Sequence, residues 1–281
     1  ERSVDWESNR YQDDLWLADL STSHPQFKPL LKESGAVWSH CWSPDGQWLA
    51  FGCHLPEGES PMLELLNPMT GEQRRRCILK TGGYGFNWSP DGQKIAYMAC
   101  GISEEDAGEQ SANAANATVM DQHWTKDQVW VVGLENGEPE QVTDGDVHIN
   151  GFDWHPDSSI ITYSAAPTPD ENVWDQCRIY ILNLVDGSTV PLTGIGCQKP
   201  QFSPDGSQIM FKQLGDPSFI DVSSIGIVDT DGSKLRTLHP FDNETYLLKW
   251  REEGIYLMAI EGVTTHIYRM DASTAEAEQL T

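Results

Sequence analysis

A chain of 281 residues with a 38% hydrophobic share, 11 Trp, 8 Tyr and 8 Phe carries enough apolar surface for an extended core, so it is not disordered. Its length also fits a single all-β domain. With 18 basic residues against 43 acidic ones the formal charge is -25, which repels phosphate backbones and anionic headgroups and excludes nucleic acid and membrane surfaces as partners.

The N-terminus, Glu1-Arg2-Ser3, has no signal-peptide character, and no apolar run approaches the ~20 residues of a membrane span. The first strand signal is Asp14-Leu15-Trp16-Leu17. Next comes Cys41-Trp42-Ser43-Pro44-Asp45-Gly46-Gln47-Trp48-Leu49-Ala50-Phe51, which recurs as Asn87-Trp88-Ser89-Pro90-Asp91-Gly92-Gln93-Lys94-Ile95-Ala96-Tyr97. Pro presets φ, Asp suits the following turn position and Gly takes the left-handed one, so each copy predicts a hairpin. The aromatic before the turn is expected to bury against a neighbouring sheet.

After residues 101–127, which break the pattern, come Val129-Trp130-Val131-Val132, Asn136-Gly137 and Val142-Thr143. The hairpin then returns in weaker form at Asp153-Trp154-His155-Pro156-Asp157-Ser158. A strand at Ile179-Tyr180-Ile181-Leu182 follows, closing on Leu192-Thr193. A fourth copy is Gln201-Phe202-Ser203-Pro204-Asp205-Gly206, followed by Ile225-Gly226-Ile227-Val228. The fifth, Lys249-Trp250 through Gly254, keeps only the aromatic and the glycine, and Ile267-Tyr268-Arg269-Met270 leads to Leu280-Thr281.

The aromatics Trp42, Trp88, Trp154, Phe202 and Trp250 are 46, 66, 48 and 48 residues apart, and the 66 marks an insertion. A period of about 40 to 50 residues with two hairpins per repeat is that of a four-stranded propeller blade. The prediction is therefore an all-β chain, a single β-propeller domain over 1–281 with an insertion at about 101–127. About five full blades are flanked by partial ones, as in a truncated seven- or eight-bladed propeller. No helix is expected.

Tandem Trp-Ser-Pro-Asp-Gly hairpins alternating with strand-Gly-strand-Leu-Thr elements resemble TolB-type propellers and the N-terminal propeller of the prolyl oligopeptidase family of serine peptidases. Asn9-Arg10-Tyr11-Gln12-Asp13-Asp14-Leu15-Trp16-Leu17-Ala18-Asp19-Leu20 is similar to that family's first outer strand. The stretch from Phe241 through Trp250 and Gly262-Val263-Thr264 to Asp271 resembles its dipeptidyl-peptidase and acylaminoacyl-peptidase branch. The resemblance implies a propeller that restricts access to an α/β-hydrolase domain of the same parent protein and helps read the N-terminal end of a peptide substrate. The G-x-S-x-G elbow of such a domain is not in these residues, so the hydrolase domain is expected outside this chain and no catalytic residue within it. Two other functions stay open: a TolB-like protein-binding scaffold and a propeller-type polysaccharide lyase.

The insertion is the natural place for function, because long loops on rigid scaffolds carry it. Dipeptidyl peptidases of the family hold the substrate's ammonium with paired glutamates, and Glu104 and Glu105 are the pair this implies. Their neighbours do not match the family's glutamate motif, and acidic loops of acidic proteins are ordinarily solvated. His123 and Trp124, which close the insertion, would contact substrate or hydrolase by stacking; the structural alternative is a Trp anchoring the next blade.

No metal site and no cofactor are predicted, since His54, His148 and His155 lack a third ligand at suitable spacing, and Asp144-Gly145-Asp146 lacks the rest of a calcium frame. The repeated Asp45, Asp91, Asp157 and Asp205 are turn residues, not a catalytic ring. Asn116-Ala117-Thr118 and Asn243-Glu244-Thr245 fit the glycosylation sequon. Cys41, Cys53, Cys77, Cys100, Cys177 and Cys197 are widely spaced with no C-x-x-C pair, which favours a reducing, cytoplasmic setting over a periplasmic or secreted one.

Overall fold

The computed structural model describes residues 2–5, 10–19, 24–31, 37–53, 61–79, 82–101, 125–135, 137–214, 224–241 and 245–281. They form five four-stranded antiparallel sheets, the blades of a β-propeller, and two two-stranded sheets. The small sheets come first, β1 (Arg2–Asp5) with β2 (Arg10–Asp13) and β3 (Leu15–Asp19) with β4 (Gln26–Leu31). Blade 1 is β5 (Val37–Trp42), β6 (Leu49–Cys53), β7 (Met62–Leu66) and β8 (Gln73–Ile78). Blade 2 is β9 (Tyr84–Trp88), β10 (Lys94–Cys100), β11 (Asp127–Gly133) and β12 (Pro139–Gln141).

Blade 3 is β13 (His148–Trp154), β14 (Ile160–Ala166), β15 (Arg178–Asn183) and β16 (Thr189–Pro191). Blade 4 is β17 (Cys197–Phe202), β18 (Gln208–Gln213), β19 (Ser224–Asp229) and β20 (Arg236–Leu238). Blade 5 is β21 (Thr245–Arg251), β22 (Gly254–Glu261), β23 (Thr264–Met270) and β24 (Ala277–Gln279). The four strands of a blade pair in chain order and are called A to D. The partial sheets lie on the N-terminal side only, since blade 5 has all four strands. One element contradicts the expectation of no helix, a 3-10 helix at Glu171–Gln176 between β14 and β15.

Contacts divide the chain into two units, residues 1–114 with 129–141 and residues 115–128 with 142–281. In the first, β5 packs on β9, and Leu63, Leu65, Trp88, Ile95, Tyr97 and Trp130 form one core. In the second, β13 packs on β17 and β17 on β21, over cores built around Phe202 and Phe211 and around Ile255 and Leu257. Alternation along each strand supplies these residues to the blade faces.

The A-to-B turns show why Ser-Pro-Asp-Gly recurs. In blade 1 the Ser43 hydroxyl donates to Asp45 Oδ1 (2.6 Å) and accepts from Trp48 N (2.9 Å), while Gln47 N donates to the same Oδ1 (3.0 Å). Gly46 N closes the turn on Ser43 O (2.9 Å) with φ at 68°. Blade 2 repeats the circuit with Ser89, Asp91, Gln93 and Lys94, and blade 4 with Ser203, Asp205, Ser207 and Gln208. The aspartates are thus turn acceptors, each short bond removing a polar group's need for solvent.

Blade 3 replaces the serine by His155, and Ser158 takes the left-handed position at φ 65°. The His155 ring meets Phe202 edge-on, with centroids 4.9 Å apart, and lies over Gly206 of the next turn, where a Cβ would come within 2.3 Å of Nε2. In blade 5 the turn shortens: Trp250 pairs Ile255 where Trp154 pairs Ile161. Gly254 there begins β22 at φ 141°, its missing side chain leaving room for Met270 O.

Trp88, Trp154, Phe202 and Trp250 are buried as expected, but Trp42 is 45% exposed. Among the described residues the sheet preceding blade 1 has two strands where each blade has four, and its Leu30 and Leu31 pack on the Phe51–Leu66 cluster instead. Leu-Thr also has a physical reason. Leu192 N donates to Ile179 O (2.8 Å) and Ile179 N to the Thr193 hydroxyl (3.1 Å), which extends the C–D ladder past its last strand residue. Leu280 and Thr281 do the same for Ile267.

Candidate functional site

The connections divide by length. The B-to-C connections of the first four blades cover 54–61, 101–126, 167–177 and 214–223, against 262–263 in blade 5. The insertion is therefore the B-to-C connection of blade 2, running from β10 to β11. Glu104, Glu105, His123 and Trp124 lie outside the described residues, as do His54, Asn116 and Asn243. The exit of the insertion is firmly held within the second unit. Lys126 Nζ contacts the carboxylate and carbonyl of Asp146, and Asp127 N donates to His148 Nδ1 (3.1 Å). Gln128 Nε2 donates to Val147 O (2.7 Å), and its Oε1 accepts from the Thr143 hydroxyl (2.9 Å). Burial keeps His148 below its ordinary pKa, against the opposing pull of the Asp127 carboxylate.

The B-to-C connection of blade 3 offers the described polar site. Asp170 caps the 3-10 helix, its Oδ1 accepting from Asn172 N (2.9 Å), and Cys177 N ends it on Trp174 O (3.1 Å). The cap holds Trp174, Asp175 and Cys177 against β13, β14 and β17. Gln198 Nε2 donates to Trp174 O (3.2 Å), and Asn150 Nδ2 contacts Cys177 Sγ at 3.1 Å. Ser164 Oγ joins Asn150 Oδ1 to Lys199 N, the latter at 3.2 Å.

Burial raises the Cys177 and Cys197 thiols, although amide contacts to Cys177 pull the other way. Asn150 and Gln198 carry no charge and take no proton, so Cys177 is held as a thiol, not as a nucleophilic thiolate. The Trp174 indole N–H and Asp175 Oδ1 are both buried without a hydrogen-bond partner. Each such unmet buried polar atom costs the fold about 1–3 kcal/mol, and here two of them fall on consecutive residues.

Sequence reasoning missed this site and a second feature at the other ends of the A strands. Asp153, just before the anchor Trp154, is 4% exposed. Its Oδ2 accepts from Phe202 N (3.0 Å) and its Oδ1 pairs with Lys249 Nζ (3.0 Å), linking the A strands of blades 3, 4 and 5. The only available signal was the polar residue preceding four of the five anchors, Asn87, Asp153, Gln201 and Lys249, where Trp42 follows Cys41. Among the described residues, no three His, Cys, Asp or Glu side chains converge as metal ligands.

No family model matches the chain. It is 27% identical to an uncharacterized protein, Atu1656, of Agrobacterium fabrum over 71% of this chain and 60% of that protein. It is 24% identical to the uncharacterized peptidase YuxL of Bacillus subtilis over 64% of this chain and 29% of that protein. The chain thus spans less than two thirds of either relative.

Among solved structures, the acylaminoacyl peptidase of Pyrococcus horikoshii aligns with 100% of this chain and 43% of its own, at TM-score 0.69 and 17% identity. TolB of Acinetobacter baumannii aligns with 95% of this chain and 61% of its own, at TM-score 0.57 and 18% identity. The oligogalacturonate lyase of Vibrio parahaemolyticus aligns with 100% and 73%, at TM-score 0.64 and 14% identity. At such identities the likeness is one of fold: this chain is a β-propeller of the kind found in TolB, in a peptidase and in a lyase.

Proposed function

We propose that this chain is the substrate-gating and substrate-recognition propeller of a serine exopeptidase or oligopeptidase that acts on peptides, with an α/β-hydrolase domain as its partner in the parent protein. The observation that carries the reading is the concentration of long connections at one position of the repeat, B to C. Variable loops on a rigid scaffold are where recognition is built. The unmet Trp174 N–H and Asp175 carboxylate oxygen belong to that set, as does the insertion with Glu104, Glu105, His123 and Trp124. Carboxylates suit a peptide's ammonium and an indole N–H suits its carbonyl. The full-length alignment to less than half of an acylaminoacyl peptidase supports the same reading.

The test uses the product of the whole gene and a variant with 101–127 replaced by a short Gly-Ser linker. The expected result is hydrolysis of short peptide anilides by the whole protein and relaxed length selection in the variant. A whole protein that cleaves no peptide would overturn the proposal. The competing reading, a TolB-like protein-binding scaffold, draws on the alignment of 95% of the chain to TolB, and it predicts that inactive outcome.

A further inference from the structure

We infer that a cleft between blades 1 and 2 binds a small oxyanion, a carboxylate or phosphate group, on the guanidinium of Arg76. The inference is independent of the peptidase reading. The cleft has a volume of 480 Å³ and lies wholly within the first unit, lined among others by Trp48, Arg74, Arg76, Trp88, Pro90 and Leu134. That volume is in the usual range for small-molecule sites, roughly 300–1,000 Å³.

Two cations side by side are unexpected in a chain with 18 basic and 43 acidic residues. Arg74 and Arg76 both reach the cleft from β8, where Arg76 is the unpaired residue of a register shift between Arg75 and Cys77. Arg74 is already engaged: its guanidinium stacks on Trp48 at 4.3 Å and its Nε donates to Glu72 (2.7 Å). Arg76 is different. Its Nη1 donates to Leu134 O (2.9 Å), which fixes the plane of the guanidinium, while its Nε is buried with no partner.

Each of the cleft's two aspartates has one carboxylate oxygen committed to its own turn. Asp45 Oδ1 is engaged by Ser43 and Gln47, and Asp91 Oδ1 by Ser89 and Gln93, both within their own turns. Burial, with the Arg74 charge as a second cause, presses the Arg76 pKa downward.

An oxyanion meeting the side of the guanidinium accepts from Nε and the neighbouring Nη together, a geometry that carboxylate and phosphate match and a lysine cannot present. It also neutralises a partly desolvated charge. Trp48, with Arg74 stacked on its ring, and Trp88 line the rest of the cleft.

The test is a fluorescence titration of the intact chain at low ionic strength, with inorganic phosphate in one arm and succinate in the other. Saturable binding of either anion is expected, and the arm that saturates identifies the source of the oxyanion. Arg76→Met should weaken it by at least about tenfold, as expected for loss of a charge-assisted pair. Arg76→Lys, which keeps the charge, should recover only part. Arg236→Gln, at a residue that does not line the cleft, should leave binding unchanged. No saturation by either anion, or parental affinity in both Arg76 variants, overturns the inference.

Discussion

At the A-to-B ends of blades 1, 2 and 4, serine, aspartate and backbone atoms satisfy one another within six residues. At the B-to-C end of blade 3, the Trp174 N–H and Asp175 Oδ1 are buried with nothing to meet them. The first arrangement lowers the free energy of the fold locally and repeats because any blade benefits equally. The second is costly to folding and occurs once among the described connections, and the proposed recognition role draws on it. Substitution at the two ends should therefore separate stability from recognition.

The largest expected effect lies at the turns and distinguishes backbone strain from packing. Gly46 and Gly206 share the left-handed conformation, at φ 68° and 75°. A Cβ at Gly46 meets nothing within 4 Å, whereas one at Gly206 would come within 2.3 Å of His155 Nε2. Gly46→Ala should cost ~1 kcal/mol from conformation alone, and Gly206→Ala ~3 kcal/mol, because the His155 ring must also leave Phe202. Urea denaturation of both variants reads the difference. Equal losses would mean that His155 packs no tighter there than solvent does.

Next comes acid. Hydrogen bonds from Ser43 and Gln47 hold the Asp45 carboxyl below its ordinary range, and Ser203 and Ser207 do so for Asp205. Asp271, which accepts from Ser273 and Thr274 in the blade 5 C-to-D turn, is lowered to about 2. Between an unfolded carboxyl pKa of about 3.9 and these lower folded values, the unfolded chain binds more protons than the folded one. The turns' contribution is therefore complete above pH ~4 and is lost as pH falls toward 2. Carboxyl carbon NMR should show Asp271 titrating near the bottom of that interval, with thermal stability falling over the same range. An Asp271 midpoint near 4 would remove the turn circuit as the cause.

These contrasts explain what the sequence could and could not convey. The hairpins were legible because each circuit is local: Ser89, Asp91 and Gly92 act within a few residues of one another. Blade pitch followed from the spacing of the anchors. Asp153 was not legible, since Phe202 and Lys249, its partners, are 49 and 96 residues away. The 3-10 helix escaped too. Six residues carry no helical period, and its one local sign was Asp170 ahead of Glu171. The cleft arginines were invisible as a pair with Leu134, which approaches Arg76 from another blade. Of the candidate site, the sequence located the insertion but had no means of finding two unmet atoms in a shorter connection.

The smallest effect on stability should fall on those two atoms. Asp175 Oδ1 and Trp174 Nε1 give up no hydrogen bond when replaced, so Asp175→Asn and Trp174→Phe should each cost the fold far less than Gly206→Ala does. In Trp174→Phe the relief of the unmet N–H is set against the volume lost on replacing indole by phenyl, so the two contributions offset each other. The functional cost should be the reverse. In the whole gene product, either variant should raise KM for peptides with a free amino terminus while leaving kcat within about twofold, the signature of lost ground-state binding. Steady-state kinetics beside a urea curve checks both halves. A stability loss comparable to that of Gly206→Ala would make the B-to-C connection of blade 3 architecture like the turns, and the contrast between the two ends would collapse.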